Sequence, residues 1–355
     1  MKIIHVSDLH LGSKIGAFPK EIANQRKNLI RERFRYVVNY ASQNDIKIIL
    51  LTGDIFDSDS PIKKDKDFFY EIIKDNSEID FLYLKGNHDS NSAHNRTLPN
   101  LKLFNNEWKL YRYDNVAISG IEMDESNFKS LYSTLLLDKN DVNIVLLHGQ
   151  VSNTIAPNNI NLKSLNDKNI NYLALGHVHQ YQSGILENDT YYVYPGCLVG
   201  RGFDETGQKG FVVINIEDKT ITHKFYVCDG EEINELTIDV TNAKTINEIY
   251  LLIKQNYLLS KDEIYRINLT GSLDGNIEDL VDDLSSRLRK EVGYLSIKDK
   301  TTKTFDISKY KDEVSIKGEF VRNVLNSKDL NDNDKVKVIS LGLRALEGKE
   351  YDLWD

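Results

Sequence analysis

Five short segments carry Asp, Asn and His directly after short apolar runs, and this pattern constrains the fold more than any other feature of the chain. They are Asp8-Leu9-His10, Gly53-Asp54-Ile55-Phe56-Asp57, Gly86-Asn87-His88-Asp89, His148-Gly149 and Gly176-His177-Val178-His179. The runs before them, Lys2–Val6, Lys47–Thr52, Phe81–Lys85, Asn143–Leu147 and Tyr172–Leu175, read as buried strands. In an open α/β sheet, ligands gather outside the carboxyl ends of the strands. Ligand-bearing loops at these strand ends are therefore expected to converge on one point.

The residue types specify the chemistry. Two divalent ions held ~3.5–4 Å apart repel strongly and need a shared anionic ligand. A carboxylate in the middle of the set is the natural bridge, and Asp54 is the candidate. Oxygen and imidazole donors without thiolate suit manganese, iron or zinc; neither Cys197 nor Cys228 sits in a ligand-like motif. Gly53, Gly86, Gly149 and Gly176 permit tight turns and close approach to ions. Taken singly, Asp-x-His is common on surfaces and His-Gly says little. Together, in order and each after a strand, the segments point to a dinuclear metal site that hydrolyses a phosphate ester. His5 lies within the first strand and is expected to be a packed or hydrogen-bonded histidine. His94 and His223 have no motif context and stay outside the set, although His94 is near enough in sequence to touch substrate.

A chain of 355 residues is long for one domain, and its 40% hydrophobic content supports a real core. Residues 1–227 alternate strand-like and helix-like stretches, with helices expected at Arg26–Ser42, Lys63–Lys74 and Ser126–Leu137. Strands are expected at Val116–Ile121, Tyr191–Tyr194, Gly210–Ile216 and Thr220–Val227. The order implies a layered α/β fold, with a second sheet from the later strand-rich part. The polar, turn-like stretch Cys228–Glu235 marks a boundary, so 1–228, 229–312 and 313–355 are expected as a first domain, a small α/β domain and C-terminal helices. Within the last, Asp332–Leu346 places Val336, Ile339, Leu343 and Leu346 at helical spacing. Such a stripe packs on its own domain or docks a partner.

No apolar run approaches the ~18 residues of a membrane span, and the amino terminus lacks a signal-peptide layout. With two cysteines, a cytoplasmic protein with reduced thiols is expected. The net charge of −9 opposes nucleic-acid binding when taken alone. However, bound cations would offset carboxylates at the site. From Lys14 to Arg35 the chain also has seven basic residues against two acidic ones. That run, with Lys14, Arg26, Arg31 and Arg35, either tracks a DNA backbone or is the solvated face of an amphipathic helix.

The opening Ile4-His5-Val6-Ser7-Asp8-Leu9-His10-Leu11-Gly12 and Thr52-Gly53-Asp54-Ile55-Phe56-Asp57 resemble the calcineurin-like metallophosphoesterase superfamily, and within it the SbcD-type DNA repair exonucleases. Tyr194-Pro195-Gly196-Cys197 and the stretch Arg201-Gly202-Phe203-Asp204-Glu205-Thr206-Gly207-Gln208-Lys209-Gly210 resemble the YhaO-like branch. The resemblance implies a four-layer α-β-β-α core with a smaller α/β capping domain and C-terminal helices. It implies that Asp8, His10, Asp54 and His179 hold one divalent ion, Mn2+ being expected. Asp54, Asn87, His148 and His177 would hold the other. His88 would act on the transition state or leaving oxygen, Asp89 would orient it, and Asp57 would support the loop without touching an ion.

The phosphatases of this superfamily carry an Arg directly after the second Asp of the Gly-Asp motif, whereas Ser58 follows Asp57 here. The resemblance therefore implies a DNA exonuclease, with endonuclease activity as an extension. It is expected to be a homodimer working with an SbcC-like or YhaN-like coiled-coil ATPase. The chain has no Gly-x-x-x-x-Gly-Lys loop, so that ATPase would be a separate polypeptide. The rival readings are a small-molecule phosphodiesterase and a non-catalytic DNA-end adaptor. Full retention of the ligand set and His88 weighs against the adaptor.

Overall fold

The structure, a computed structural model, describes residues 1–57, 61–89, 96–187, 190–228, 230–243, 245–273, 277–303, 310 and 312–346. His94 and the terminal Tyr351-Asp352-Leu353-Trp354 fall outside them. The chain divides into two compact units, Met1–Ile233 and Asn234–Asp355.

Two stacked six-stranded sheets form the first unit. In the first sheet Lys2–Val6, Ile48–Thr52, Asp80–Leu84 and Leu101–Leu103 run parallel, and Gly210–Glu217 and Thr220–Val227 add an antiparallel edge. In the second, Val116–Gly120, Val142–His148, Tyr172–Gly176 and Tyr191–Tyr194 run parallel between antiparallel edge strands Lys109–Tyr113 and Gln182–Ile185. Near-continuous Ile, Leu and Val runs suit such strands because both of their faces are covered. Ile3, Ile48, Leu50 and Leu82 of the first sheet share one core with Ile118, Ile144, Leu146 and Ala174 of the second. The outer face of the first sheet is covered by helices Lys20–Gln43 and Lys63–Asp75, whose Phe34 and Phe69 stack at 6.0 Å. The outer face of the second carries Leu131, Tyr132, Ile160 and Leu165.

That fourth layer corrects one expectation. The helix expected at Ser126–Leu137 shrinks to Leu131–Thr134. The carboxylate of Asp124 accepts the N–H groups of Ser126 and Asn127, and the Ser133 and Thr134 hydroxyls donate to the carbonyl of Ser130. Short polar side chains compete here with the helical ladder. The structure adds strands Leu101–Leu103, Lys109–Tyr113 and Gln182–Ile185, short edge strands that carry little hydrophobic pattern.

The second unit contains a three-stranded sheet in the order Ile233–Asp239, Ile264–Thr270, Tyr294–Asp299, together with helices Ile246–Asn256 and Ile277–Leu288. Ile249, Ile253, Ile267, Leu284 and Leu295 form its core. Helices Ile316–Asn326 and Asp332–Leu346 pair over a separate small core of Val321, Val324, Ile339 and Leu343. The expected stripe on the last helix is thereby split. Ile339 and Leu343 are buried, whereas Val336 and Leu346 are about half exposed. No helix among the described residues is long and apolar enough to cross a membrane.

Candidate dinuclear metal centre

The five ligand-bearing segments follow parallel strands, three in the first sheet and two in the second, and they meet where the two sets of carboxyl ends face each other. Two cradles result. In one, Asp8, His10 and His179 present donor atoms to a common point. His10 Nε2 lies 3.1 Å from His179 Nε2, and Asp8 Oδ1 lies 3.9 and 3.7 Å from the same two nitrogens. In the other, Asp54, His148 and His177 do the same. Asp54 Oδ2 is 3.3 Å from His148 Nε2, and Asn87 Oδ1 is 3.1 Å from both His148 Nε2 and His177 Nδ1. Asp54 Oδ2 is also 3.9 Å from His10 Nε2, so it stands between the cradles as a bridge would. Metal–donor bonds of about 2.1 Å place two donors on one ion roughly 3–4 Å apart.

The donor chemistry fits two cations. His10 Nδ1 is 2.7 Å from Asp57 Oδ1, and His179 Nδ1 is 2.7 Å from Glu205 Oε1. These carboxylates select the Nδ1–H tautomers, which leaves two Nε2 lone pairs aimed at each other. A cation between them turns that repulsion into coordination. Asp8 and Asp54 are both buried carboxylates, and Asp8 accepts from the Ser7 hydroxyl. The His177 N–H donates to Asp8 and the His88 N–H to Asp54 Oδ1 at 2.8 Å. Burial works against protonation of His148, but the hydrogen bond and charge of Asp54 outweigh it and push its pKa up to about 9. For Asp54, burial raises the pKa, yet His148 and His10 hold it well below the usual carboxylate range.

The backbone is strained at these residues. Asp8, His10, Asp54 and His177 have φ of 55°, 47°, 51° and 104°. Each such residue costs on the order of 1–3 kcal/mol, and such strain collects at functional sites. The glycines serve proximity. A Cβ at Gly53, where φ is +94°, would lie 2.2 Å from His148 Nδ1, and one at Gly176 would lie 1.8 Å from the carbonyl oxygen of Thr52. That same carbonyl accepts from His148 Nδ1 at 2.8 Å, fixing the ring with Nε2 toward Asp54.

Other expected residues fall out unequally. His88 is exposed beside the first cradle, its ring 5.2 Å from that of His10. His10, Asp57 and His88 also form a close group of potential donors. Asp89 corrects an expectation. Its carboxylate accepts the N–H groups of Ile55, Phe56 and Gly86, and so ties the Asp54 loop to the Asn87 loop rather than orienting the His88 ring. Burial and the charge of Asp54 raise its pKa to about 6, against those three backbone donors.

The basic run is corrected more sharply. Arg26 is 2% exposed, with its guanidinium bonded to the carbonyls of Gly200 and Glu231. Arg31 pairs with the buried Asp65, and Arg35 is exposed and lies 5.0 Å above the Phe68 ring. Lys14 is exposed and lines an open cleft of about 310 Å3 with Asp57, Arg201 and Glu205. Of the four, Lys14 and Arg35 remain available at the surface, because the amphipathic helix turned Arg26 inward with Leu29 and Ile30.

Sequence reasoning missed Arg201, Glu205 and Lys209 as site residues. Their stretch carries a family resemblance, and no ligand-type spacing singles them out.

Residues 1–181 match the model of the calcineurin-like phosphoesterases, and the chain belongs to that family. It is a metal-binding hydrolase of phosphate esters, of a family built around a dinuclear divalent site. Among its relatives, an uncharacterized metallophosphoesterase YhaO of Bacillus subtilis is 24% identical over 289 residues, covering 72% of this chain and 67% of that protein. The DNA double-strand break repair protein Mre11 of Saccharolobus solfataricus is 24% identical over 345 residues, covering 87% of this chain and 85% of that protein. The Mre11 of Sulfolobus acidocaldarius is 21% identical, with 77% and 76% covered.

Proposed function

We propose that this chain is a DNA exonuclease, with endonuclease activity as an extension, using two Mn2+ ions in the cytoplasm. We take it to be the homodimeric nuclease subunit of a DNA repair complex with a separate SbcC-like or YhaN-like ATPase. The observation that carries this reading is the reach of the similarity. The match to a protein named for DNA double-strand break repair covers 87% of the chain and so runs beyond the first unit into the second.

In this reading Asp8, His10 and His179 hold one ion, Asn87, His148 and His177 the other, and Asp54 bridges them. The ions would neutralise phosphate charge and lower the pKa of water. The protein's own part is positional. Asp57, through Nδ1 of His10, and the carbonyl of Thr52, through Nδ1 of His148, fix the rings with Nε2 inward. His88, exposed with its ring 5.2 Å from that of His10, would hand a proton to the departing sugar oxygen. Lys14 and Arg35 remain to meet DNA phosphates.

A second reading, a small-molecule phosphodiesterase, is favoured by the net charge of −9 and by the burial of Arg26. Digestion of end-labelled linear duplex with Mn2+ separates the two. A nuclease digests it, loses binding steeply with salt, and is inactivated by Asp54→Asn. Hydrolysis of bis(p-nitrophenyl) phosphate with intact duplex would refute the nuclease reading.

A further inference from the structure

The two cradles are supported unequally. Both imidazoles of the first are backed by carboxylates: His10 by Asp57 and His179 by Glu205, each at 2.7 Å. Arg201 joins these carboxylates. Its Nη1 is 3.1 Å from Asp57 Oδ1, its Nη2 is 2.7 Å from Glu205 Oε1, and its backbone N–H donates to Glu205 Oε2 at 2.7 Å. The main chain of His179 is gripped from the same segment. Its carbonyl accepts from Lys209 Nζ at 3.1 Å and from the Cys197 N–H at 3.3 Å. Glu205 is 5% exposed and Lys209 7%. Residues 197–209 thus wrap His179 on both its ring and its backbone.

Among the described residues, no carboxylate stands behind the rings of the second cradle. His148 leans on a backbone carbonyl, and His177, more open to solvent, meets the exposed neutral Asn87. Charge follows the same division. Among the described residues, the first cradle groups Asp8 with its histidines and shares Asp54, whereas the second has the shared carboxylate alone among its donors.

We propose that Glu205, braced by Arg201, is a positioning residue that keeps His179 Nε2 directed at Asp8 and His10, and that this makes the first cradle the tighter of two stepwise cation sites. The proposal rests on the dinuclear reading but not on DNA as substrate. A carboxylate behind a ligating histidine fixes its tautomer and raises its basicity, and losing such a partner costs about 10- to 100-fold in metal affinity.

The test uses the full chain, stripped with chelator and titrated with Mn2+ alone. Bound metal is followed by equilibrium dialysis, and formation of the coupled ion pair by electron paramagnetic resonance. The wild type is expected to fill in two steps. Glu205→Ala should weaken the tighter step about 10- to 100-fold and leave the weaker one in place, so the two steps draw together and the range of Mn2+ over which the mononuclear signal dominates narrows. Glu205→Gln, which keeps an acceptor for the ring N–H, should restore most of the tighter step. If Glu205→Ala does not fold, Glu205→Asp carries the test, because its shorter reach should weaken the same step. Wild-type affinity in the Ala or Asp variant overturns the proposal, as does equal weakening of both steps. Two ions bound with equal affinity by the wild type overturn the proposal alone; uptake of fewer than two overturns the dinuclear reading as well.

Discussion

His5 gives a pH dependence whose sign and size follow from its surroundings. It is fully buried between the sheets, with Nε2 2.9 Å from Thr52 Oγ1 and Nδ1 3.1 Å from Tyr172 Oη. Burial lowers its pKa to about 3, with a hydrogen bond to the Leu175 backbone opposing and the nearby His223 adding to the shift. The unfolded chain titrates this ring near 6.5, so between pH 6.5 and 3 the unfolded state takes up a proton that the folded state refuses. Its stability contribution is therefore whole above pH 6.5 and is lost as pH falls toward 3. The full span is about 5 kcal/mol at 1.36 kcal/mol per unit, and at pH 5 about 2 kcal/mol is already lost. Urea unfolding of metal-stripped wild type and His5→Gln at pH 8 and pH 5 isolates the term, since the remaining groups cancel in the difference. The stability gap between the two proteins should shift by about 2 kcal/mol in favour of the variant at pH 5. An unchanged gap would refute the claim that the folded protein keeps this ring neutral.

Gly176→Ala should cost about 1–3 kcal/mol or more, because its Cβ meets a backbone oxygen that cannot move without breaking a central strand; thermal unfolding and metal analysis should fall together, and a wild-type melting temperature would contradict the packing. His88→Ala should retain both ions and lose on the order of a hundredfold to ten-thousandfold in turnover; elemental analysis showing a missing ion would make His88 a ligand. Arg26→Met should cost roughly 2–5 kcal/mol, by leaving the carbonyls of Gly200 and Glu231 without a donor, with the salt dependence of DNA binding unchanged. Arg35→Glu should do the reverse, with little change in stability and a salt slope reduced by about one or two; equal slopes for wild type and Arg35→Glu would remove this helix from the DNA path.

Much of the site was legible because its signal is local. A ligand-bearing turn after a buried strand is written in consecutive residues, as in Gly53-Asp54 or Gly176-His177. Expected and observed strand ends there differ by a residue or so, as with Phe81–Lys85 against Asp80–Leu84. Asp57 shares a turn with Asp54, and its support of the loop was implied by the resemblance; its contact with His10 Nδ1 is a feature of the fold. Glu205 and Arg201 were not legible. They lie more than twenty residues beyond His179 in sequence, and only the path of residues 197–209 brings them behind its ring.

The sequence alone determined which donor residues follow which strands. Hydrophobic periodicity sets the strands, and strand ends set the loops, so donor types and their order are fixed before any packing. Tertiary structure decided what periodicity cannot encode. It split the five strands three to two between stacked sheets, so the centre forms across a seam rather than along one sheet edge. It turned Arg26 into the interior and left Lys14 and Arg35 outside, because a helix face is chosen by what it packs against. It also gave the two cradles unequal support, since hydrogen bonds between distant segments exist only once the chain has closed around them.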